Sequence, residues 1–324
     1  MGPTLPPMAK PKAFLGIDLG GTKIHVVAID QDGRVRASGR AATEPKRGYR
    51  KVLATIAEVA TSVADEGEVR IKDLPAVGIG VPGIVEPRKG RIVMAANLGW
   101  SDRDIATDLG ELLGSPVVVG NDVNMGALGE MAFGAARGLR TAFAAYVGTG
   151  LGGALIVRGK VVNGAHGFAG ELGHMPAPFT QRQCGCGHRG CLETSASKTG
   201  MMQRIAEGVA RGEKCLLPRD GTLKTSAIRK ALDAGCPTTM AAVDELAGAL
   251  AYGLASIGTI LDPQAFILGG GVVEGLHERI VPMVAEQMPR HAALYARHAP
   301  DLRVAALGDD GVATGAAFAA MQRA

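Results

Sequence analysis

The sequence has no strong excess of either charge: 35 Lys and Arg stand against 31 Asp and Glu, a net of +4. The basic residues are scattered apart from short pairs such as Lys46-Arg47 and Arg50-Lys51. No basic face of the kind that follows a phosphate backbone is present, so no nucleic-acid partner is expected. Residues 1–12 are Pro-rich without the apolar stretch of a signal peptide, and Pro6 stands where a myristoylation motif needs Ser or Thr. The most apolar stretch, 246–261, is broken by Gly248, Gly253 and Gly258. It falls short of the roughly 20 residues that cross a bilayer and reads as a packed interior helix, with no membrane partner. A disulfide framework is lacking too. The five cysteines are odd in number, with Cys184, Cys186 and Cys191 together and Cys215 and Cys236 apart, which suits a reducing, cytoplasmic setting.

What the chain does contain is an ordinary globular balance, 47% apolar and 20% charged, over 324 residues. That is more than one hydrophobic core usually organises, so two domains are expected. Glycine is abundant, at 47 residues, and clusters at 20–21, 148–153 and 269–271, where backbone turns sharply or approaches a ligand. Short strands are expected over 13–18, 23–29 and 34–39, joined as hairpins, followed by helical spacing over 49–64, a buried strand at 76–80, a helix over 104–113 and a strand at 116–119. The second half repeats the plan, with strands at 142–147 and 154–157 flanking a glycine turn, helices, a strand at 265–268 and a closing helix over 312–322. The reading is a duplicated α/β fold with a tail over 1–12, a smaller domain over 13–121 and a larger one over 122–311. The boundary lies near 121–134, and the last helix, 312–324, returns to the first domain.

Several motifs sit at the ends of these strands. Asp18-Leu19-Gly20-Gly21-Thr22-Lys23 lies between two strands, so its amides and the Thr22 hydroxyl can wrap phosphate oxygens while Asp18 holds magnesium through water. A plain Gly-Gly hairpin would read the same way. Gly148-Thr149-Gly150-Leu151-Gly152-Gly153 has the spacing of a dinucleotide loop, but the apolar Ala154-Leu155-Ile156-Val157 that follows continues as a strand, where a Rossmann loop must open a helix. A second phosphate turn is the better reading. Gly269-Gly270-Gly271 ends a strand and would admit a base or ribose, or simply turn the chain. The strand 116–120 delivers Asn121-Asp122 to the start of a helix, where a carboxylate suits catalysis or an N-cap. His174, Cys184, Cys186 and Cys191 fall within eighteen positions on glycine-rich loops, a zinc-like spacing with His188 as a rival ligand. Four protein ligands leave no open position, so this loop, 174–191, is expected to be structural.

Taken in order, Asp18-Leu19-Gly20-Gly21-Thr22, Gly80-Val81-Pro82-Gly83, Asn121-Asp122, the Gly148 to Gly153 run, Gly170-Glu171-Leu172-Gly173-His174 and the Cys184 to Glu193 segment resemble the ROK family of sugar kinases and repressors. The resemblance spans nearly the whole chain. It implies an actin-like (ribonuclease H-like) fold of two domains with ATP and sugar in the cleft. It implies Asp122 as catalytic base, with Asn121, Glu171, His174 and Glu193 bonding sugar hydroxyls and Gly83 and Asn97 close to the sugar. Asp18, Gly20, Gly21, Thr22, Lys23, Thr149, Gly150, Gly152, Gly270 and Gly271 would contact ATP and Mg²⁺. Structural Zn²⁺ on His174, Cys184, Cys186 and Cys191 would fix His174 and Glu193 against the ligand. Val123, where the family often has Ala, and the short Asn97-Leu98-Gly99-Trp100 segment are the departures.

The activity so implied is transfer of phosphate from ATP to the primary hydroxyl of a hexose, glucose first, with N-acetylglucosamine, N-acetylmannosamine or fructose as alternatives, by a homodimer. A sugar-responsive repressor is the rival, but such proteins carry an N-terminal winged helix, and Asp18 arrives after only seventeen residues. An oxidoreductase reading of the glycine run gains nothing from Asp18 or Asp122.

Overall fold

The computed structural model describes residues 13–217 and 224–323, so the tail expected over 1–12 lies outside the described residues. The chain divides into two compact units, one holding 13–133 and 310–323, the other Gly134–Asp309.

In the first unit β1 (Phe14–Leu19), β2 (Lys23–Ile29) and β3 (Val35–Ala42) form an antiparallel meander. Next come α1 (Tyr49–Glu66), β4 (Val77–Val81), the short strands β5 (Ile84–Glu86), β6 (Arg91–Ala95) and β7 (Trp100–Arg103), then α2 (Ile105–Leu113), β8 (Val117–Asn121) and α3 (Asp122–Phe133). The main sheet runs β3-β2-β1-β4-β8, with β4 parallel to β1 and β8 parallel to β4. Val52, Leu53, Ile56, Ala60 and Val63 recur at helical spacing on α1, and that face packs in one core with Leu15, Ile17 and Ile24. Each such Leu or Ile removed from water contributes about 1.5–3 kcal/mol, which is what holds a helix to a sheet.

The second unit contains β9 (Ala142–Val147), β10 (Leu151–Val157), β11 (Lys160–Val162), α4 (Lys198–Ala210), α5 (Thr225–Asp233), α6 (Pro237–Leu261), β12 (Ala265–Gly269), α7 (Gly271–His291) and β13 (Asp301–Val304). Its sheet runs β11-β10-β9-β12-β13, again three antiparallel strands followed by two parallel ones. The two sheets therefore match strand for strand, and the duplication expected from the sequence is present. Helix α6 is long and apolar enough to cross a membrane by length and composition, yet Leu246, Leu250 and Leu254 on one face are fully buried in this unit's core.

The last helix, α8 (Gly311–Met321), belongs to the first unit, packing on β1, β4 and α3. Its buried Ala313, Ala316, Ala317 and Ala320 keep the contact thin. A Cβ on Gly78 would strike the Ala316 carbonyl, so the sheet must present bare backbone there. Met125 in α3 is approached as closely by Gly315 of α8. That packing places α3 in the first unit, so the division falls between Phe133 and Gly134, at the far end of the 121–134 range expected for it and beyond the 121/122 cut used for the domains.

Candidate functional site

The candidate residues fall into two groups, one in each unit. In the first, parallel register aligns Asp18 with Gly80 and Gly80 with Gly120 across β1, β4 and β8. Asp18 and Asp122 thus stand at the carboxyl ends of strands one apart in the same sheet, the end where open α/β sheets bind ligands. The turn after Asp18 is closed by Gly20 N–H donating to the Lys23 carbonyl at 2.8 Å. Thr43, at the far end of β3, braces it: its hydroxyl donates to Gly20 O at 2.7 Å and its N–H to Thr22 O at 3.0 Å. Thr22 is left exposed at the tip. A Cβ on Gly21 would lie 3.4 Å from the Asn97 Cβ, so the exposed Asn97 neighbours this turn.

Asn121 has a local task. Its Oδ1 accepts the Asn124 N–H at 3.1 Å, capping α3, and its Nδ2 donates to the Gly83 carbonyl at 3.0 Å. Gly83, at φ 91, is thereby tied to the strand that delivers Asp122. Asp122 is half-buried as the first residue of α3, with Oδ1 accepting the Val123 N–H at 2.9 Å. The structure thus gathers Gly83, Asn121 and Asp122, and sets Asn97 beside Gly21.

In the second unit the run from Gly148 to Gly153 closes the β9–β10 hairpin and opens no helix, the physical reason it is not a Rossmann loop. Gly148 N–H donates to Gly150 O at 2.9 Å. The first amides of α4, which have no partner inside the helix, hold this turn: Lys198 N–H donates to Gly148 O at 3.0 Å and Thr199 N–H to Thr149 O at 3.2 Å. Thr149 itself is exposed. Gly270, at φ 85, packs where a Cβ would lie 2.6 Å from the Val147 carbonyl, so Gly270 and Gly271 sit beside the turn at the start of α7. Thr43 and the Ser197-Lys198-Thr199 cap were absent from the sequence reading. A Ser before a helical run was the available signal for the second.

Glu171, His174 and Glu193 converge on this hairpin because glycine removes what would keep them apart. Gly153 and Gly170 meet backbone to backbone, and a Cβ on Gly173 would strike the Leu151 carbonyl. Glu193 Oε2 accepts the Leu151 N–H at 3.4 Å. Glu171 Oε2 stands 3.9 Å from His174 Nε2. Burial raises the Glu171 carboxyl above its ordinary range; His174 opposes the shift and Glu193 adds to it.

The ligand atoms of His174, Cys184, Cys186 and Cys191 all lie within 4.8 Å of one another. Cys186 and Cys191 sulfurs are 3.6 Å apart, and His174 Nδ1 is 3.9 Å from the Cys184 sulfur. Four ligands at about 2.3 Å around a tetrahedral zinc are separated by about 3.7 Å, so the donor set fits that ion in kind and spacing. His188 is not in the group; its N–H hydrogen-bonds Cys186 and pulls that thiol down. Burial pushes the thiols of Cys184 and Cys191 up, and the Cys184 thiol lies 2.9 Å from Glu193 Oε1. With Nδ1 turned to the sulfurs, His174 keeps Nε2 on the side of Glu171.

A doubled mixed sheet whose corresponding hairpins each carry a glycine turn is the arrangement of the actin-like ATPases, and that is the class this fold defines. The chain belongs to the ROK family, matching it over residues 14–323. It is 31% identical over 315 residues to the glucokinase of Halalkalibacterium halodurans, covering 96% of this chain and 95% of that one. Against the ROK family glucokinase of Streptomyces griseus, solved with glucose and AMPPNP, the TM-score is 0.81 at 30% identity, covering 96% of this chain and 99% of that one. The ROK hexokinase of Thermus thermophilus gives 0.79 at 33% identity, with 96% and 98% covered. The N-acetyl-D-glucosamine kinase of Yersinia pseudotuberculosis is 30% identical over 315 residues, 94% of this chain and 98% of that one. The xylose repressor of Caldicellulosiruptor bescii is 31% identical over 260 residues, which cover 79% of this chain and 65% of the repressor.

Proposed function

We propose that this protein is a sugar kinase that transfers phosphate from ATP to the primary hydroxyl of a hexose, with glucose as the preferred acceptor. The observation that carries the reading is the convergence, in the second unit, of Glu171, His174 and Glu193 on the same hairpin that bears the Thr149-Gly150 turn. Hydroxyl-binding and phosphate-binding groups there share one small surface, as phosphoryl transfer to a sugar requires. The kinase names of relatives that match this chain along nearly its whole length support the reading.

Asp122 orients the attacking hydroxyl and accepts its proton as the bond to phosphorus forms. Asn121, Glu171, His174 and Glu193 bond the sugar hydroxyls, with Gly83 and Asn97 alongside. The amides of Gly20, Gly21, Thr22, Lys23, Thr149, Gly150 and Gly152 and the two turn hydroxyls receive the phosphate oxygens, and Gly270 and Gly271 receive the rest of the nucleotide. Asp18 would hold Mg²⁺ through water, and the ion when bound neutralises phosphate charge. His174, Cys184, Cys186 and Cys191 would hold zinc, which when bound supplies a structural cross-link in the loop bearing His174 and preceding Glu193. The homodimer and the cytoplasmic setting belong to the same proposal.

Coupled ADP release with glucose, N-acetylglucosamine, N-acetylmannosamine and fructose, each with ATP or polyphosphate, tests the reading. The highest kcat/KM is expected for glucose with ATP. No turnover of any sugar, together with sugar-sensitive retardation of DNA, would move the protein to the repressor branch.

A further inference from the structure

Arg182 lies two residues before the cysteine group and takes no part in it. Its side chain is 16% exposed and makes a planar fork between two helices: Nε and Nη2 donate to Glu207 of α4, each at 2.8 Å, while Nη1 and Nη2 donate to Glu245 of α6. The same Nη1 donates to the Thr194 carbonyl at 3.1 Å and lies 3.3 Å from the Ser195 hydroxyl. Arg182 O accepts the Gly190 N–H at 3.1 Å, and the buried Thr180 and Thr194 hydroxyls meet at 3.2 Å. One guanidinium therefore ties the segment just before Cys184 to the carbonyl immediately after Glu193. Arg204 continues the network, reaching Glu245 at 3.7 Å and Glu213 at 3.4 Å, and Arg211 reaches Glu213 at 2.7 Å. Three guanidiniums balance three carboxylates, so the half-buried charges are compensated and the fork geometry is retained.

Resting on the sugar-kinase reading, we infer that Arg182 is a positioning residue for sugar recognition: it fixes the Glu193 backbone against α4 and α6, independently of the metal. The cysteine loop holds Glu193 from one side, through Cys191 and the Cys184 contact. Arg182 holds it from the other, through Thr194. Only a planar fork meets two carboxylates and a carbonyl together, so lysine cannot replace it fully. α4 also carries the amides that hold the Gly148 and Thr149 carbonyls, but those contacts leave from its first turn and do not involve Glu207.

The test compares Arg182→Gln, Arg182→Lys and Glu207→Gln with the unaltered enzyme, measuring KM for sugar, KM for ATP, kcat and bound zinc. Arg182→Gln is expected to raise sugar KM about tenfold or more, the scale of lost supporting contacts. ATP KM and kcat should stay within about threefold, with zinc content unchanged. Arg182→Lys should fall between the two, and serves alone if the Gln variant does not fold. In Glu207→Gln the guanidinium keeps Thr194 and Glu245, so sugar KM should move least. An unchanged sugar KM in Arg182→Gln or Arg182→Lys overturns the inference. So does zinc lost in step with the KM rise, since Arg182 would then act by folding the metal loop. Failure of the sugar-kinase reading is separate: the unaltered protein would phosphorylate no sugar.

Discussion

At the scale of the residue, the glycines decide where Glu171 and Glu193 stand. Gly153→Ala would bring a methyl against Gly170 O and to 2.5 Å from the Phe143 ring, and both belong to packed structure. Overpacking of this kind costs about 1–3 kcal/mol, and a lowered unfolding midpoint with raised sugar KM is expected from calorimetry and steady-state kinetics. Glu193 tests a contact directly. A hydrogen bond to a charged group contributes about 1.5–3 kcal/mol, so Glu193→Gln should raise sugar KM about tenfold to a hundredfold and leave ATP KM nearly unchanged. Such residues stood out in the sequence only through their motifs. Arg182 had no sequence signal at all, because its partners Glu207 and Glu245 stand 25 and 63 residues away on helices that the fold brings together.

At the scale of the element, caps and loops position the residues proposed to act. Ser197 Oγ accepts the Gly200 N–H at 3.0 Å and caps α4, whose first amides hold the β9–β10 turn. Ser197→Ala should cost about 1 kcal/mol of stability. It should raise ATP KM more than sugar KM, read from thermal unfolding and initial rates. Cys184→Ala or Cys186→Ala should lower bound zinc, measured by atomic absorption, and weaken sugar binding, because His174 and Glu193 lose their anchor. The hairpins β1–β2 and β9–β10 were legible because apolar runs meet at glycine turns, and α8 because small apolar residues recur through it. The sheet of β5, β6 and β7 was not. Its strands are only three to five residues long and mix charged with apolar positions, too short for alternation to show.

At the scale of the whole molecule, the duplication explains why the same device occurs twice. Each sheet places a glycine turn between its first two antiparallel strands, so the kind of turn proposed to receive phosphate arises once per half. Among the described residues, the first half alone follows its last parallel strand directly with a carboxylate, Asp122 after Asn121, and the second alone carries the cysteine loop. Both positions were visible in the order of the motifs. The placement of α3 in the first unit was not, because it depends on backbone contact between α8 and Met125, far apart in the chain.

In the proposed reaction Asp122 takes the proton of a sugar hydroxyl. Steady-state turnover of Asp122→Asn, with ATP and glucose both saturating and the fold checked by circular dichroism, measures it most directly. The predicted result is a fall in kcat of about 10²- to 10⁴-fold with the fold intact; turnover close to that of the unaltered enzyme would contradict it.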